Sequence, residues 1–455
     1  MSPLMPKTFE NHAFAKMTAL WVAGLLLIGL FDLLGFNAVC SILKILLLLS
    51  SFVVPLESLI YVLLILSPND SMLAMSGFIS LTSAIVVVFL IRVSLHYHAE
   101  ARIDRLLFIA GVLLILDALI RFSLTGENYF TGSVKIVLSF LAVAIFCNTQ
   151  NDSWKADDVL HLMLAFLLGC IVLASLSFLN FYYFDLNYDR MRPVEGDPNY
   201  LSLYLTVCIA LLFFLVFEGD VKGFKSIALV LFSFVFISAG LLSQSRGFII
   251  SFVPVAIYLL VQLAGRFGRR PFLVFLFILI LGIAACVLIS EQSNLIANVI
   301  ARFTSKDTAG GSGRTLIWMT YFHAWFSDLG MFFFGVPQTA LGNLRFEVAT
   351  GSVIAVHNLY LELLCQQGLL FTICFVCIIT RFIHLMPKII DVWHAAPVMA
   401  LLFGYIFLSG ALSVTLPFIL LVAWVGALSY SKAQPEDPTS ISTSCACEKE
   451  EVDVA

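Results

Sequence analysis

Three residues in this chain pair a charge or a base with a setting that could use it. Arg246 lies in LLSQSRGFIISFV, where two apolar runs meet with almost no loop between them. A cation at the edge of hydrocarbon is costly to hold, so it must meet water, a partner or an anion. It reads as a fixed positive charge for a phosphate, or as a short-turn arginine that snorkels to lipid headgroups. Arg314 lies in GGSGRTLIW. The glycines permit close backbone approach, and the N-terminus of the helix expected over Thr315–Trp325 would offer unpaired N–H groups that suit an anion. The alternative is a surface arginine at a helix start. His357 opens AVHNLYLELL. An imidazole titrates near neutral pH and can take a proton from a hydroxyl as a general base. Otherwise it is an interfacial histidine at a helix start, with Asn358 as its cap. In the functional reading Asn358 orients the imidazole or touches substrate.

Further polar residues surround these three. Glu362 lies in the same apolar run, and an intramembrane carboxylate is a functional candidate by default. On a helix continuous from His357, five positions rotate by about 140°, which would put the two on different faces. The segment 181–198, FYYFDLNYDRMRPVEGDP, brings Asp189, Arg190, Arg192 and Asp197, followed by Asn199. Arg190, Arg192 and Asn199 could contact a charged or polar substrate, or form a solvated loop with mutual ion pairs. Asp117 and Arg121 are four residues apart and are expected to pair on one helix; with Asp32 they read as structural. There is no GxSxG, no HExxH and no Gly-rich nucleotide loop. No carboxylate or histidine cluster has metal spacing, so no metal and no cofactor is expected.

The elements that must position these residues are membrane helices. Of 455 residues, 61% are hydrophobic and 12% charged, and mean hydropathy is +1.01. That is more apolar surface than a soluble core can use. The apolar runs are continuous, which favours helices over a barrel. They fall at 17–35, 38–53, 56–67, 72–93, 105–124, 133–148, 158–180, 199–217, 224–244, 247–264, 271–290, 359–384, 395–410 and 413–431. The fold class is therefore all-α: a polytopic bundle of about 12 to 14 spans of ~20 residues each. In 38–67, Pro55 and Glu57 divide the run, leaving two short helices, a hairpin or one broken helix. Net charge is −4, and the absence of a basic stripe excludes a nucleic-acid partner. Eight of the ten cysteines sit in apolar runs, where cysteine packs as a small hydrophobe.

Lys and Arg cluster in alternate loops (Arg92, Arg102, Arg105; Lys222, Lys225; Arg266, Arg269, Arg270; Arg381, Lys388), and that set should be cytoplasmic. Both termini then face the cytoplasm. The membrane domain covers 1–431, and the polar tail 432–455 reads as disordered. The segments 181–198 and 291–358 become periplasmic loops, the second long enough to suggest function.

The ordered set DPNY (197–200), SQSRG (243–247), SGRTLIW (312–318) and HNLYLELLCQQGLLF (357–371) resembles the O-antigen polymerase and O-antigen ligase superfamily. The resemblance covers about 200–371. It implies a metal-independent glycosyltransferase of the bacterial inner membrane whose active site faces the periplasm. The donor would be an undecaprenyl-diphosphate-linked oligosaccharide, the acceptor another glycan or lipid A-core, and membrane lipid would surround both; a chain-length regulator is a further partner. Arg246 and Arg314 would hold the diphosphate and His357 would serve the acceptor hydroxyl. The expected activity is polymerisation of lipid-linked repeat units. Ligation to lipid A-core is the alternative. Transfer to a protein side chain ranks third, since a longer outer or C-terminal region is expected for it. A transporter of lipid-linked sugar is the reading from another class.

Overall fold

A computed structural model describes residues 11–76, 79–96, 104–126, 129–150, 156–184, 190–217, 224–267, 314–337, 356–386, 395–408 and 413–426. The expected apolar run 271–290, Asp189, most of the loop 291–358 and the tail 432–455 lie outside these residues. The described chain is an all-α, multi-pass membrane bundle. Among the described residues, seven helices are long and apolar enough to cross a bilayer, and five shorter apolar helices accompany them.

The order is α1 (Asn11–Leu33), α2 (Asn37–Ser50), α3 (Ser58–Leu66), a small hairpin of β1 (Ala74–Ser76) and β2 (Ile79–Ser80), α4 (Leu81–His96), α5 (Arg105–Thr125), α6 (Phe130–Gln150), α7 (Ala156–Leu179), α8 (Pro198–Phe217), α9 (Phe224–Leu242) and α10 (Arg246–Phe267). Helices α11 (Arg314–Ser327) and α12 (Leu329–Phe334) follow. A single turn, α13 (Leu359–Leu361), runs through a π-helix (Glu362–Gln367) into α14 (Gly368–Leu385), and α15 (Ala396–Gly404) and α16 (Leu416–Gly426) close the bundle. The stretch 38–67 forms two short helices. The run expected over 72–93 begins instead as the hairpin, so its helix starts only at Leu81. Lys44 from α2 donates to the Ala74 carbonyl at 2.8 Å and occupies one of the backbone acceptors this irregular segment leaves.

The centre belongs to α8, buried along nearly its whole length and packed against α7, α9, α10, α15 and α16. A helix apolar all round and buried all round is the core of the bundle. Helices α1, α2, α5 and α9 instead present Leu, Ile and Phe outward, as a lipid-facing surface requires. Hydrocarbon outside is as apolar as the interior, so packing and polar contacts join the helices. Ser251 of α10 donates to Thr206 of α8 at 3.1 Å, and Asn69 donates to the Gly169 carbonyl of α7 at 2.9 Å.

Helices α5 and α14 pack together and run antiparallel. Asp104, which caps α5, meets Arg381 near the end of α14 at 2.6 Å. The start of α14 and the end of α5 therefore share the opposite end of the bundle, where the candidate residues gather.

Candidate functional site

At that end, α8, α10, α11 and α13 all begin. Asp197 starts α8: its Oδ1 accepts from the Asn199 N–H at 2.7 Å and its carbonyl accepts from the Tyr200 N–H at 3.0 Å. Pro198 fills the first helical position, where a missing N–H costs nothing. The Ser245 hydroxyl donates to Asn199 Oδ1 at 2.7 Å, which ties the SQSRG turn to the start of α8. The Ser243 hydroxyl bonds Ser202 at 2.8 Å across the same junction. Arg246 is the first residue of α10, one position beyond this link.

The stretch ahead of α8 is clasped to the turn after α9. Arg190 Nε donates to the Ser243 carbonyl at 2.9 Å, and the Met191 N–H to Leu242 at 3.0 Å. One candidate cation is thus partly engaged in holding the loop, with Arg192 two residues on and half-buried.

Arg314 begins α11, which extends over Arg314–Ser327 and contains the helix expected over Thr315–Trp325. Ile317, Tyr321 and Trp325 form a second small core with Val336, Val356 and Cys365. Trp318 Nε1 donates to the Val356 carbonyl at 2.8 Å. This bond fixes the backbone just before His357 against the helix that carries Arg314. His357 itself has φ +50°, and Gln244, two residues before Arg246, has φ +49°. Left-handed backbone at a non-glycine residue is uncommon, and such strain gathers at functional sites. Asn358 caps the next turn, its Oδ1 accepting from the Leu361 N–H at 3.0 Å.

Electrostatics join these segments. Burial and the nearby Arg314 hold the His357 imidazole below the ordinary histidine pKa, while Asp197 opposes them. Near neutral pH the ring is therefore uncharged and able to accept a proton. Glu362 is an electrostatic neighbour of Tyr200 in the first turn of α8. The rotation argument that separated His357 from Glu362 assumed one continuous helix. The helix starts at Leu359, so His357 precedes it, and Glu362 opens a π turn.

Arg121 remains the charged neighbour of Asp117, as expected, but its hydrogen bonds go to the π turn. Gly368 (φ +88°) abuts Gly335 (φ +87°), where any Cβ would strike backbone at 2.2–2.4 Å. The Cys365 carbonyl accepts from the Val336 N–H at 2.8 Å. Arg121 reaches the carbonyls of Gln366 at 2.7 Å and Gln367 at 3.3 Å, bonds the Gln367 side chain, and lies 4.0 Å from the centre of the Tyr129 ring. Carbonyls released by an irregular turn in a membrane need a donor, and a guanidinium supplies several in one plane. Both Asp117 oxygens are without a hydrogen-bond partner among the described residues.

Beside Asp197 opens a cleft of about 220 Å³ that joins Asp197 and Tyr200 of DPNY to residues outside the motifs. Asp70, Tyr200, Tyr204, Ser413 and Thr415 line it. Asp70 stands in SPND between two apolar runs, where a polar residue reads as ordinary loop; an acid directly after a proline-broken helix was the only available signal. Among the described residues, no group of three or more His, Cys, Asp or Glu could hold a metal ion.

Residues 227–376 match the family model described as O-Antigen ligase. The chain is also similar to a curated relative, the "ComP-specific O-oligosaccharyltransferase" of Acinetobacter baylyi (strain ATCC 33305 / BD413 / ADP1). They are 26% identical over 269 residues, 54% of this chain and 46% of that protein. The match thus spans about half the length of that relative. No solved structure matches. The resemblance read from DPNY, SQSRG, SGRTLIW and HNLYLELL to the O-antigen polymerase and ligase superfamily is borne out.

Proposed function

From the O-antigen ligase match and this geometry, we propose that the chain transfers an oligosaccharide from undecaprenyl diphosphate to an acceptor hydroxyl at the outer face of the bacterial inner membrane. The observation that carries the reading is that the segments bearing Arg246, Arg314 and His357 are joined to the start of α8 and to each other. Helix N-termini carry partial positive charge and point N–H groups outward, so backbone and guanidinium act with the same sign on an anion. As the anomeric C–O bond breaks, negative charge grows on the departing diphosphate. Arg246 and Arg314 stabilise it where water is scarce, which is where fixed charges act most strongly. His357 takes the proton of the acceptor hydroxyl, and the freed oxygen pair forms the new bond to the anomeric carbon. Arg190, Arg192 and Glu362 border the substrates. Asn199 and Asn358, both buried and bonded, hold the turns that carry the charged groups.

Sidedness is supported by the bundle itself. Arg105 and Arg381 stand at the end opposite the site, as the positive-inside rule requires of a periplasmic site with cytoplasmic termini. The chemistry needs no metal ion, and transfer should continue in excess chelator.

Ligation of a finished glycan is favoured over the expected polymerisation, because the matched family is described as a ligase and the relative as an oligosaccharyltransferase. Both reactions use the same donor site and differ in the acceptor: lipid A-core or another protein-external hydroxyl for ligation, a second lipid-linked unit for polymerisation. Deleting the gene and resolving surface polysaccharide on a gel separates them. Loss of all attached repeats, with polymer accumulating on the lipid carrier, is the ligase result. Loss of the long ladder with one repeat retained is the polymerase result. An unchanged pattern, or full complementation by Arg246→Ala, Arg314→Ala and His357→Ala, would remove glycan transfer and return the transporter.

A further inference from the structure

The cleft beside Asp197 differs in chemistry from the arginine side of the site. Its lining carries two carboxylates, Asp70 and Asp197, two tyrosines, Tyr200 and Tyr204, and the hydroxyls of Ser413 and Thr415. No lysine or arginine is among the described lining residues; Lys135 is an electrostatic neighbour of Asp70. A phosphate would be repelled here. A neutral polyhydroxyl ring would not, because carboxylates accept from its hydroxyls and tyrosine faces suit its apolar side.

The hydroxyl groups are already ordered. Tyr204 bonds Thr415 at 3.1 Å, and Thr415 bonds Ser413 at 2.8 Å, so the far wall is a connected polar network. Asp70 is different. The hydroxyls of Thr82 and Ser80 are neighbours of its carboxyl group, but its Oδ1, shielded from solvent, has no hydrogen-bond partner of good geometry among the described residues. An acceptor atom buried unpaired is costly and calls for a ligand donor. The volume, about 220 Å³, is small beside pockets for drug-sized ligands, roughly 300–1,000 Å³, and suits a single sugar ring.

Asp197 connects this cleft to the reacting groups, since it lines the cavity and is also an electrostatic neighbour of His357. We propose that the cleft is a sugar subsite in which Asp70, Asp197 and the Tyr204–Thr415–Ser413 network hold the acceptor ring, presenting its hydroxyl to His357. The division of labour rests on the glycan-transfer reading: diphosphate on the arginines, sugar on the carboxylates.

Two measurements test it on the full-length chain in detergent and in membranes. First, thermal unfolding is followed with a panel of methyl glycosides (hexoses and N-acetylhexosamines) and, separately, inorganic pyrophosphate. At least one glycoside should raise the midpoint of the unaltered chain, and Asp70→Asn and Ser413→Ala should each lose that rise while keeping the response to pyrophosphate. Arg246→Ala should do the reverse. No glycoside response, or one that survives both cleft variants, overturns the subsite. Second, initial rates are measured in membranes of the deletion host while varying either lipid-linked donor or acceptor extract. Losing one hydrogen bond to a charged acceptor should raise the apparent KM for acceptor about tenfold in Asp70→Asn, with donor KM unchanged. A rise confined to donor KM overturns the acceptor assignment. Ser413→Ala guards against an Asp70 variant that fails to fold. His357→Ala in the same membranes keeps the two readings apart. If His357→Ala abolishes transfer while the cleft variants behave as the unaltered chain, only the subsite falls. If the unaltered chain transfers nothing, the functional reading itself falls.

Discussion

Arginines stand in two regions at the same end of this bundle, and the backbone around them has opposite polarity. Arg121 of α5 meets the π turn Glu362–Gln367, whose carbonyls are displaced from regular pairing; it bonds two of them and lies over Tyr129. Arg246 and Arg314 are instead the first residues of α10 and α11, where the backbone offers N–H donors. A guanidinium beside carbonyls has its donors engaged by backbone acceptors. One beside helix starts adds positive charge to positive potential, the arrangement that binds anions. The same residue type thus reads as structural in one region and as a substrate contact in the other, and the distinguishing feature is which end of a helix it meets.

The comparison is broken most easily by exchanging the expected phenotypes. Arg314→Ala should cost roughly 10²–10³ in turnover, the usual loss when one preorganised charge is removed from a developing anion, and leave thermal unfolding nearly unchanged. His357→Ala should cost roughly 10²–10⁴, the range for a positioned general base. Arg121→Ala should do the opposite. Each orphaned carbonyl costs roughly 1–3 kcal/mol, seen as lower abundance and a lower unfolding midpoint in the same membranes. A stable Arg121→Ala chain with no transfer would place Arg121 in the site and erase the distinction.

Next in size is Gly368→Ala. Its Cβ would lie 2.4 Å from the Gly335 nitrogen, at a φ that L residues rarely adopt. The clamp between α12 and the π turn should loosen, lowering the unfolding midpoint and reducing turnover together.

The pH profile sharpens the comparison. Burial and Arg314 depress the His357 pKa, and in the proposed mechanism the neutral ring is the base. Activity should therefore persist below the pH at which an ordinary histidine protonates, and fall as pH drops through the depressed value. The residual activity of Arg314→Gln should lose its acid limb at higher pH, because a neighbouring cation has gone. Asp197→Asn should move the limb to lower pH. The smallest effect is expected at the opposite end. The Asp104–Arg381 pair is partly exposed, so Arg381→Ala should cost about 1 kcal/mol or less and leave transfer intact.

Hydropathy made the bundle legible, because a long apolar run that must satisfy its own backbone in lipid has few alternatives to a helix. The helix after GGSGR was legible too, from glycines that end and an apolar pattern that restarts. What escaped was set by distant contacts. Arg121 is close to Asp117 in sequence, but its bonded partners lie about 245 residues away, beyond any local pairing rule. The π turn leaves hydropathy unchanged, so it was read as ordinary helix. Asp70 was not singled out from the sequence, because only the packing of the α3 end against the start of α8 and the Ser413–Thr415 turn gives it a cleft. The three charged motifs were found by residue type; their convergence depends on the Asn199–Ser245 and Trp318–Val356 bonds, which no spacing encodes.

The most direct test reconstitutes the purified chain in liposomes with a radiolabelled undecaprenyl-diphosphate oligosaccharide and acceptor extract, and follows donor binding and transfer separately. Arg314→Ala should bind donor weakly and transfer little, His357→Ala should bind donor normally and transfer little, and Arg121→Ala, compared per folded molecule, should do both. Normal transfer by Arg314→Ala and His357→Ala would contradict the account.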